Sequence, residues 1–257
     1  MLRERPGGRH TLLALLALAA LFIVAGCGVN STAKKAPSAT QILASANDAK
    51  IRDYSFTYNV SISLGNLVPT SIPGDTSSLF GSDAFTMNGD GKVTTDPQRA
   101  DITLNMPLGS YSVTGEEVVD GTTSYTKIAG LGALDGTGGD QWIKTDLGSL
   151  GATGGFGSLF DTSTFTSYKN LKGVTLVGKD TLNGVPVYHL KGAQSVNASG
   201  MSVNATTDLW VRQDNYFPAK LVEQFGGSVS GGATITFTAI NSGFTIATPA
   251  PDQVASS

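Results

Sequence analysis

Cysteine is nearly absent from this 257-residue chain, which contains only Cys27, and histidine occurs just twice. A single cysteine cannot close a disulfide within the chain, so a hydrophobic core must hold the fold together. A zinc site needs several cysteine and histidine ligands close together. Because only His189 follows the first 26 residues, the sequence excludes both a disulfide scaffold and a structural zinc site.

The familiar catalytic motifs are also missing. The sequence contains no G-x-S-x-G nucleophile elbow, no P-loop and no dinucleotide-binding G-x-G-x-x-G. His189 lies in a predicted strand, where a lone histidine usually has a structural role, and Glu116 and Glu117 are interpreted as strand residues. Asp135 and Asp140 lie in a glycine-rich turn, but their spacing is not that of a calcium loop. We expect a protein that is not an enzyme and has no metal or cofactor.

Charge is scarce as well. Charged residues make up 14% of the chain, and 17 Lys and Arg are set against 20 Asp and Glu, for a formal net charge of −3. Attraction to nucleic acid or to anionic lipid headgroups depends on clustered positive charge. We therefore expect no nucleic-acid partner.

The longest apolar run lies near the N-terminus. Three arginines precede an uncharged stretch, residues 12–25, that is rich in Leu and Ala. A membrane span needs about 20 such residues, whereas this length and basic flank are typical of a secretory signal peptide. The run closes with Val24, Ala25, Gly26 and Cys27.

This tetrad resembles the lipobox of bacterial lipoproteins. The resemblance implies a signal peptide over residues 1–26, cleavage before Cys27, a diacylglyceryl group on its sulfur and a further fatty acid such as palmitate on the new N-terminus. The alternatives are an ordinary signal peptide with a chance cysteine and a single-span anchor. The small polar residues 27–37 are then a flexible tether to the extracytoplasmic side of the cell membrane.

One helix and many strands are predicted after the tether. Ser38 and Gln41 have the spacing of a capping box, and apolar residues follow at helical spacing as far as Arg52. Residues 54–64 then alternate apolar and polar side chains, as in a long strand with one wet face. Further strands are predicted around residues 85–87, 100–106, 116–128, 141–146, 174–191, 206–225 and 233–240.

Two long segments do not fit this pattern. Residues 66–81 contain two prolines, and residues 129–160 are rich in glycine, yet both retain Leu and Phe side chains. Long loops in compact domains are usually functional or disordered. One hypothesis is a lid over an apolar surface, and the alternative is plain connections between strands.

The order of these elements resembles the LppX/LprG-like bacterial lipoproteins, which have the LolA/LolB-type fold. Residues 118–125 match the family's hairpin followed by an aromatic, and residues 141–144 its short Trp strand. Residues 177–190 match its V-G-x-[DE]-x-x-x-G … Y-x-L hairpin, and residues 208–220 its W-[IV]-[DR] … P-x-[KR] hairpin. The likeness runs over residues 37–249 and departs in the glycine-rich segment.

The resemblance implies an α+β, mainly β fold: an open antiparallel half-barrel curled around the N-terminal helix, with an apolar cavity for acyl chains. We expect this domain to span residues 38–249, followed by a disordered tail over residues 250–257. The implied function is a monomeric, membrane-anchored lipoprotein that binds a lipid or lipidated molecule and carries or presents it in the cell envelope. The alternative is an envelope sensor or interaction module with a membrane protein partner. The expected lipid-binding residues are Ile42, Ala46, Phe56, Tyr58, Val60, Ile62, Phe85, Met87, Ile102, Leu104, Met106 and Trp210.

Overall fold

The computed structural model describes residues 36–63, 84–108, 111–130, 141–147, 167–198, 201–226 and 230–255. By its contacts the chain divides into Met1–Pro37 and Ser38–Ser257, and the fold below belongs to the second unit. The predicted signal peptide, the lipobox and most of the tether lie outside the described residues. So do residues 66–81 and most of residues 129–160.

One α-helix and eleven strands make up most of the described chain. The helix α1 is Ala39–Asn47, and short 3-10 turns lie at Ser167–Asn170 and Pro251–Gln253. The strands are β1 (Asp53–Ser63), β2 (Ala84–Thr95), β3 (Gln98–Leu108), β4 (Tyr111–Asp120), β5 (Thr123–Ala129), β6 (Ile143–Asp146), β7 (Lys172–Leu182), β8 (Val185–Ala198), β9 (Met201–Arg212), β10 (Pro218–Gly226) and β11 (Ser230–Ile240).

All eleven strands belong to one open sheet. Its order is β6-β5-β4-β3-β2-β1-β11-β10-β9-β8-β7, and every neighbouring pair is antiparallel. Two runs of consecutive strands, β1 to β6 and β7 to β11, are therefore joined by the pairing of β1 with β11. The prediction of a mainly β fold with an open antiparallel sheet and one N-terminal helix is confirmed.

The N-terminus of α1 forms as the capping box predicts. Ser38 Oγ accepts a hydrogen bond from the Gln41 backbone N–H at 3.3 Å, and Gln41 Oε1 accepts one from the Ser38 N–H at 2.9 Å. These bonds satisfy two donors that a helix start leaves open. The helix ends at Asn47, earlier than predicted, and its buried side chains are Ile42, Leu43 and Ala46.

The predicted hairpin turn between β7 and β8 also forms. Asn183 and Gly184 have φ values of 50° and 80°. A two-residue type I′ turn requires positive φ at both central positions, which Asn and Gly adopt at the lowest cost. This turn sets the register of β7 against β8.

The two faces of the sheet differ in composition. The face that packs on α1, called the inner face below, contributes most of one large hydrophobic cluster that also contains Ile42, Leu43 and Ala46. On β1 the inner-face residues Tyr54, Phe56 and Tyr58 are buried, whereas the outer-face residues Thr57 and Asn59 are exposed. The alternation predicted for β1 is therefore observed.

A second, smaller cluster lies on the outer face near β6. It contains Val118, Trp142 and Ile246, with Phe244 and Val254 packed against it. Trp142 exchanges backbone hydrogen bonds with the tail, donating to the Gln253 carbonyl at 3.0 Å and accepting from the Ala255 N–H at 2.8 Å.

The expectation of a disordered tail after Pro249 is therefore wrong for residues 250–255. Gln253 and Ala255 in this segment form backbone hydrogen bonds with Trp142, and Val254 packs against the cluster that contains Trp142. The guanidinium of Arg99 contributes nearby, bonding both the Asp120 carboxylate and the Ile246 carbonyl. Burial of the indole supplies the stabilisation that the local sequence of the tail does not reveal.

Candidate functional site

A row of aromatic rings forms the centre of the inner face. Tyr54, Phe56 and Tyr58 point to this face from β1, with ring centroids 6.0 Å and 6.2 Å apart. Phe237 on β11 lies 5.7 Å from the Tyr54 ring. The three β1 rings are at most 5% exposed, and such pairs add stabilisation beyond the area they bury.

Two glycines on β2 make room for these rings. A Cβ at Gly91 would lie 2.5 Å from the Phe56 ring, and one at Gly89 would lie 2.8 Å from the Tyr58 hydroxyl. The Tyr58 hydroxyl donates to the Thr103 carbonyl at 2.7 Å, reaching across β2. Phe56 and Tyr58 therefore lie against the β2 backbone because β2 has no side chains beneath them. The sequence alone did not predict this role of the glycines.

Most of the predicted site residues come together on the inner face. Val60 packs against the main cluster from its margin, and Ile62 is half-buried. The side chain of Phe85 lies outside the described residues. The remaining predicted residues of this face are buried in the main cluster: Ile42, Ala46, Phe56, Tyr58, Met87, Ile102, Leu104 and Met106.

Polar side chains interrupt this apolar face on β4. Glu117 points to the inner face, pairs with Ile102 on the neighbouring strand β3 and is only 4% exposed. Ser124 Oγ donates to Glu117 Oε1 at 2.6 Å, and Oε2 has no hydrogen-bond partner among the described residues. Burial raises the pKa of the Glu117 carboxyl, and the Ser124 hydrogen bond lowers it by a smaller amount.

A second polar set lies on β8 to β10. Glu223 is 4% exposed and accepts a hydrogen bond from Gln194 Nε2. Thr207 is fully buried beside them and pairs with Glu223 across the two strands. The inner face therefore has buried carboxylates on both sides of its aromatic centre.

Two recesses adjoin these polar groups. A groove of ≈ 620 Å³ lies at the ends of β8, β9 and β10 and is lined mostly by small and polar residues, among them Gln194, Asn204 and Gln224. A crevice of ≈ 10 Å³ lies beside Glu117, between Ile102, Leu104, Gly115, Thr126 and Ile128. The large groove also has apolar lining residues, including Ala205 and Phe225. The small crevice has room for about one water-sized group.

Solved structures with a similar fold place this architecture among known proteins. LprF from Mycobacterium bovis aligns with a TM-score of 0.54 and 18% identity over 82% of this chain and 97% of that one. The chain has the fold of LprF. LppX from Mycobacterium tuberculosis aligns with a TM-score of 0.49 and 15% identity over 82% of this chain and 100% of that one. A LolA superfamily protein from Nitrosomonas europaea gives 0.29 and 11% identity over 80% and 93%. No family model and no curated protein matches the sequence.

The fold predicted from the order of motifs is confirmed at the level of the fold of LprF. At this level of identity the likeness concerns the fold alone. No helix among the described residues is long and apolar enough to cross a membrane. Within the same ranges, no three His, Cys, Asp or Glu side chains converge as they would around a metal ion.

One predicted site residue of this LprF-like sheet lies on the wrong face. Trp210 points to the outer face, where its ring stacks on His189 with centroids 4.3 Å apart. Its neighbours Leu209 and Val211 point inward and are fully buried. Three consecutive apolar residues leave the phase of a strand undetermined, so the assignment of Trp210 to the lipid site was wrong.

His189 lies on the outer face, beside an acidic side chain. His189 Nε2 is 2.7 Å from Asp208 Oδ1, and Lys191 Nζ is 3.6 Å from the other carboxylate oxygen. On the other side of Trp210, Lys220 of β10 places its Nζ 5.2 Å from the centroid of the Trp210 ring. Together these side chains form a charged and aromatic strip on the outer face, away from the apolar inner face.

Proposed function

We propose that this protein is a lipoprotein, anchored to the extracytoplasmic side of the cell membrane through Cys27, that binds lipid acyl chains on the inner face. It carries or presents these lipids within the cell envelope. In this proposal residues 1–26 are the signal peptide, residues 27–37 the tether and residues 38–249 the main body of the lipid-binding domain.

The extent of the inner face carries the proposal. Its main hydrophobic cluster includes residues from β4 at one side to β8 at the other. In the order of the sheet these are eight neighbouring strands, β4-β3-β2-β1-β11-β10-β9-β8, and they span roughly 33 Å at the usual strand spacing. The nine residues of α1 form a rod roughly 14 Å long and 10 Å wide. The helix covers only part of this face, and a half-barrel that leaves an apolar cavity beside it would accommodate acyl chains.

Two long segments are proposed to complete the site. Residues 66–81 and 129–160 combine linker-like composition with Leu and Phe side chains. Leaving such a side chain exposed costs roughly 1.5–3 kcal/mol relative to burying it. In the proposal these segments close over bound lipid as a lid and open to release it.

Mass spectrometry of organic extracts tests the lipid-binding role. The protein should be made as residues 27–257 with Cys27→Ala, so that it has neither the signal peptide nor the covalent lipid, and it should be purified without detergent. We expect a stoichiometric acyl lipid in the extract. A folded protein that yields no lipid would contradict the carrier function.

The anchor has its own test. Cys27→Ala should leave an uncleaved precursor in the native host, because the signal peptidase of lipoproteins acts after the cysteine is lipidated. The measurement is the mass of the membrane-associated protein. A Cys27→Ala variant that matured normally and stayed on the membrane would show that the lipobox interpretation is wrong.

The outer-face strip supports a second candidate, an envelope sensor or interaction module. Trp210, His189 and Lys220 form a stacked surface, and tryptophan is enriched where proteins bind partners. Trp210→Ala should weaken capture of an envelope partner in this case and leave bound lipid unchanged. The same variant should have no effect on the carrier function.

A further inference from the structure

We propose that Glu117 is a polar recognition point inside the apolar face and accepts a hydrogen bond from a hydroxyl group of the bound lipid. The ligand class is an acyl lipid with a free hydroxyl close to its chains, such as a partly acylated glycerol or sugar. This inference rests on the proposed lipid-binding function and specifies what the bound lipid must contain.

The surroundings of Glu117 are those of the lipid site. Across the sheet it pairs with Ile102 on one side and Thr126 on the other. Leu104 and Ile128 line the same crevice, and Ile102 and Leu104 belong to the main cluster of the inner face. A group bound beside Glu117 would therefore touch the residues proposed to contact acyl chains.

The hydrogen bonds around Glu117 leave one acceptor open. A serine hydroxyl has one proton to donate, and Ser124 gives it to Oε1 at 2.6 Å. Thr126 Oγ1 is 3.4 Å from the Ser124 oxygen, so Thr126 extends this chain rather than reaching the second carboxylate oxygen. Oε2 is buried and has no partner among the described residues. Buried polar atoms are almost always hydrogen-bonded, so we expect Oε2 to accept a hydrogen bond from a bound ligand.

Among the described residues of β4 and β5, no cation lies beside the Glu117 carboxylate. Lys127 follows Thr126 but points to the outer face, where its Nζ lies 3.5 Å from Glu116 Oε2 and 5.3 Å from the centroid of the Trp142 ring. Alternation along the strands thus directs Glu116 and Lys127 to one face and Glu117 to the other. Glu117 is left with a hydroxyl as its only described partner.

The size of the crevice indicates a hydroxyl rather than an ammonium group. A volume of ≈ 10 Å³ admits about one oxygen-sized group. An ammonium brings three donors. The crevice, whose lining also includes Glu116 and Thr126 beside apolar side chains, offers one open acceptor oxygen on Glu117. A hydroxyl has a single donor, which Oε2 can accept, while the acyl chains lie along the inner face.

A pair of lipids that differ by one hydroxyl tests the proposal. Dioleoylglycerol and its acetate ester are compared by displacement of a fluorescent fatty acid from residues 27–257 carrying Cys27→Ala. We expect this protein to bind dioleoylglycerol at least about tenfold more tightly, since a hydrogen bond to a charged group contributes this much in a buried site.

Glu117→Gln should abolish or reverse this preference. The Gln carbonyl oxygen accepts from Ser124, which turns the amide NH₂ group into the crevice, where it favours an ester carbonyl over a hydroxyl. Glu117→Leu removes the polar group and should bind both lipids equally. Asp101→Asn is the matched control, because Asp101 is a half-buried carboxylate on the opposite face of β3, and this variant should keep the tenfold preference.

The outcomes separate this inference from the proposed function. Equal binding of both lipids by the parent protein, or a preference that survives Glu117→Gln, would overturn the role of Glu117 and leave the lipid-binding function standing. An ordered water filling the crevice would give this result. If neither lipid binds to the folded parent protein, the lipid-binding function fails and this inference fails with it.

Discussion

Strands β1 and β4 belong to one sheet, yet they are covered differently. On β1, Tyr58 points inward and is buried, whereas Asn59 points outward and is exposed. On β4, Glu117 points inward and Val118 outward, and both are buried, because the C-terminal segment packs on the outer face there. Burial therefore alternates along β1 from Tyr54 to Val60, whereas along β4 the alternation breaks at Val118. Hydrophobic alternation describes a strand well only where one of its faces meets water.

The largest effect on stability is expected from placing a charge on the buried face of β1. Val60→Asp would place a charge on the inner face, where Val60 packs against the main cluster, and should lower the free energy of unfolding by roughly 3–5 kcal/mol or abolish lipid binding. Asn59→Asp alters the exposed neighbour and should be nearly silent. Urea unfolding of both variants is the measurement. Equal destabilisation would mean that β1 is covered on both faces.

A substitution at Trp142 tests whether both faces of the sheet are covered near β4. Trp142→Ala removes the indole that joins Val118 to the C-terminal segment, and the loss of a buried Trp should cost about 2–4 kcal/mol. Ile143, the next residue, is 60% exposed, so Ile143→Ala is the matched control and should change stability little. If Trp142→Ala were as mild as its control, the tail would contribute nothing to the domain.

A smaller effect is expected where the aromatic rings lie over β2. Gly91→Ala would bring a methyl group within 2.5 Å of the Phe56 ring, and displacement of that ring should lower the free energy of unfolding by about 1–3 kcal/mol. Gly178→Ala on β7 has no atom within 4 Å of the added methyl group and serves as the control. A neutral Gly91→Ala would show that Phe56 can move at no cost.

The smallest effect on stability is expected from the pH dependence of the buried Glu117 carboxyl on β4. Burial raises the pKa of Glu117 above its ordinary 4.5. The folded protein then holds this proton more tightly than the unfolded chain does, so stability falls as the pH rises from 4.5 through the raised pKa. Glu117→Gln removes the contribution, and its free energy of unfolding should decline less with pH. Identical pH profiles for the variant and the parent would contradict a buried, ionisable Glu117.

Several elements could be predicted because they depend on near neighbours in the sequence. Ser38 and Gln41 are three residues apart and cap the helix by themselves. Asn183 and Gly184 tolerate the positive φ that their turn needs. The regular alternation around Tyr58 fixed the inward face of β1, and the order of such elements indicated the LolA-type fold.

The misses depend on contacts between distant residues. Gly89 and Gly91 weaken the strand pattern of β2. Their place in it is explained by the aromatic rings of β1 and, at Gly89, by the Thr103 carbonyl. Trp210 stands among apolar neighbours, so pairing with β8 was needed to assign its face. The tail follows Trp142 by about a hundred positions in the chain, and no local signal connects them.

The sequence by itself determined the kind of element at most positions. Helix capping, turn formation and the alternation of apolar and polar residues depend on near neighbours in the chain and not on which strand lies alongside. It also determined the lipobox pattern at Cys27, which depends on the side chains alone. Only the tertiary structure decided which polar groups are buried. Glu116 and Glu117 are the same residue type side by side, and the difference between them is that β3 and β5 hold Glu117 against apolar side chains while Glu116 meets Lys127 and solvent. Desolvation depends on what surrounds a group in space, and the order of residues along one strand does not contain that information.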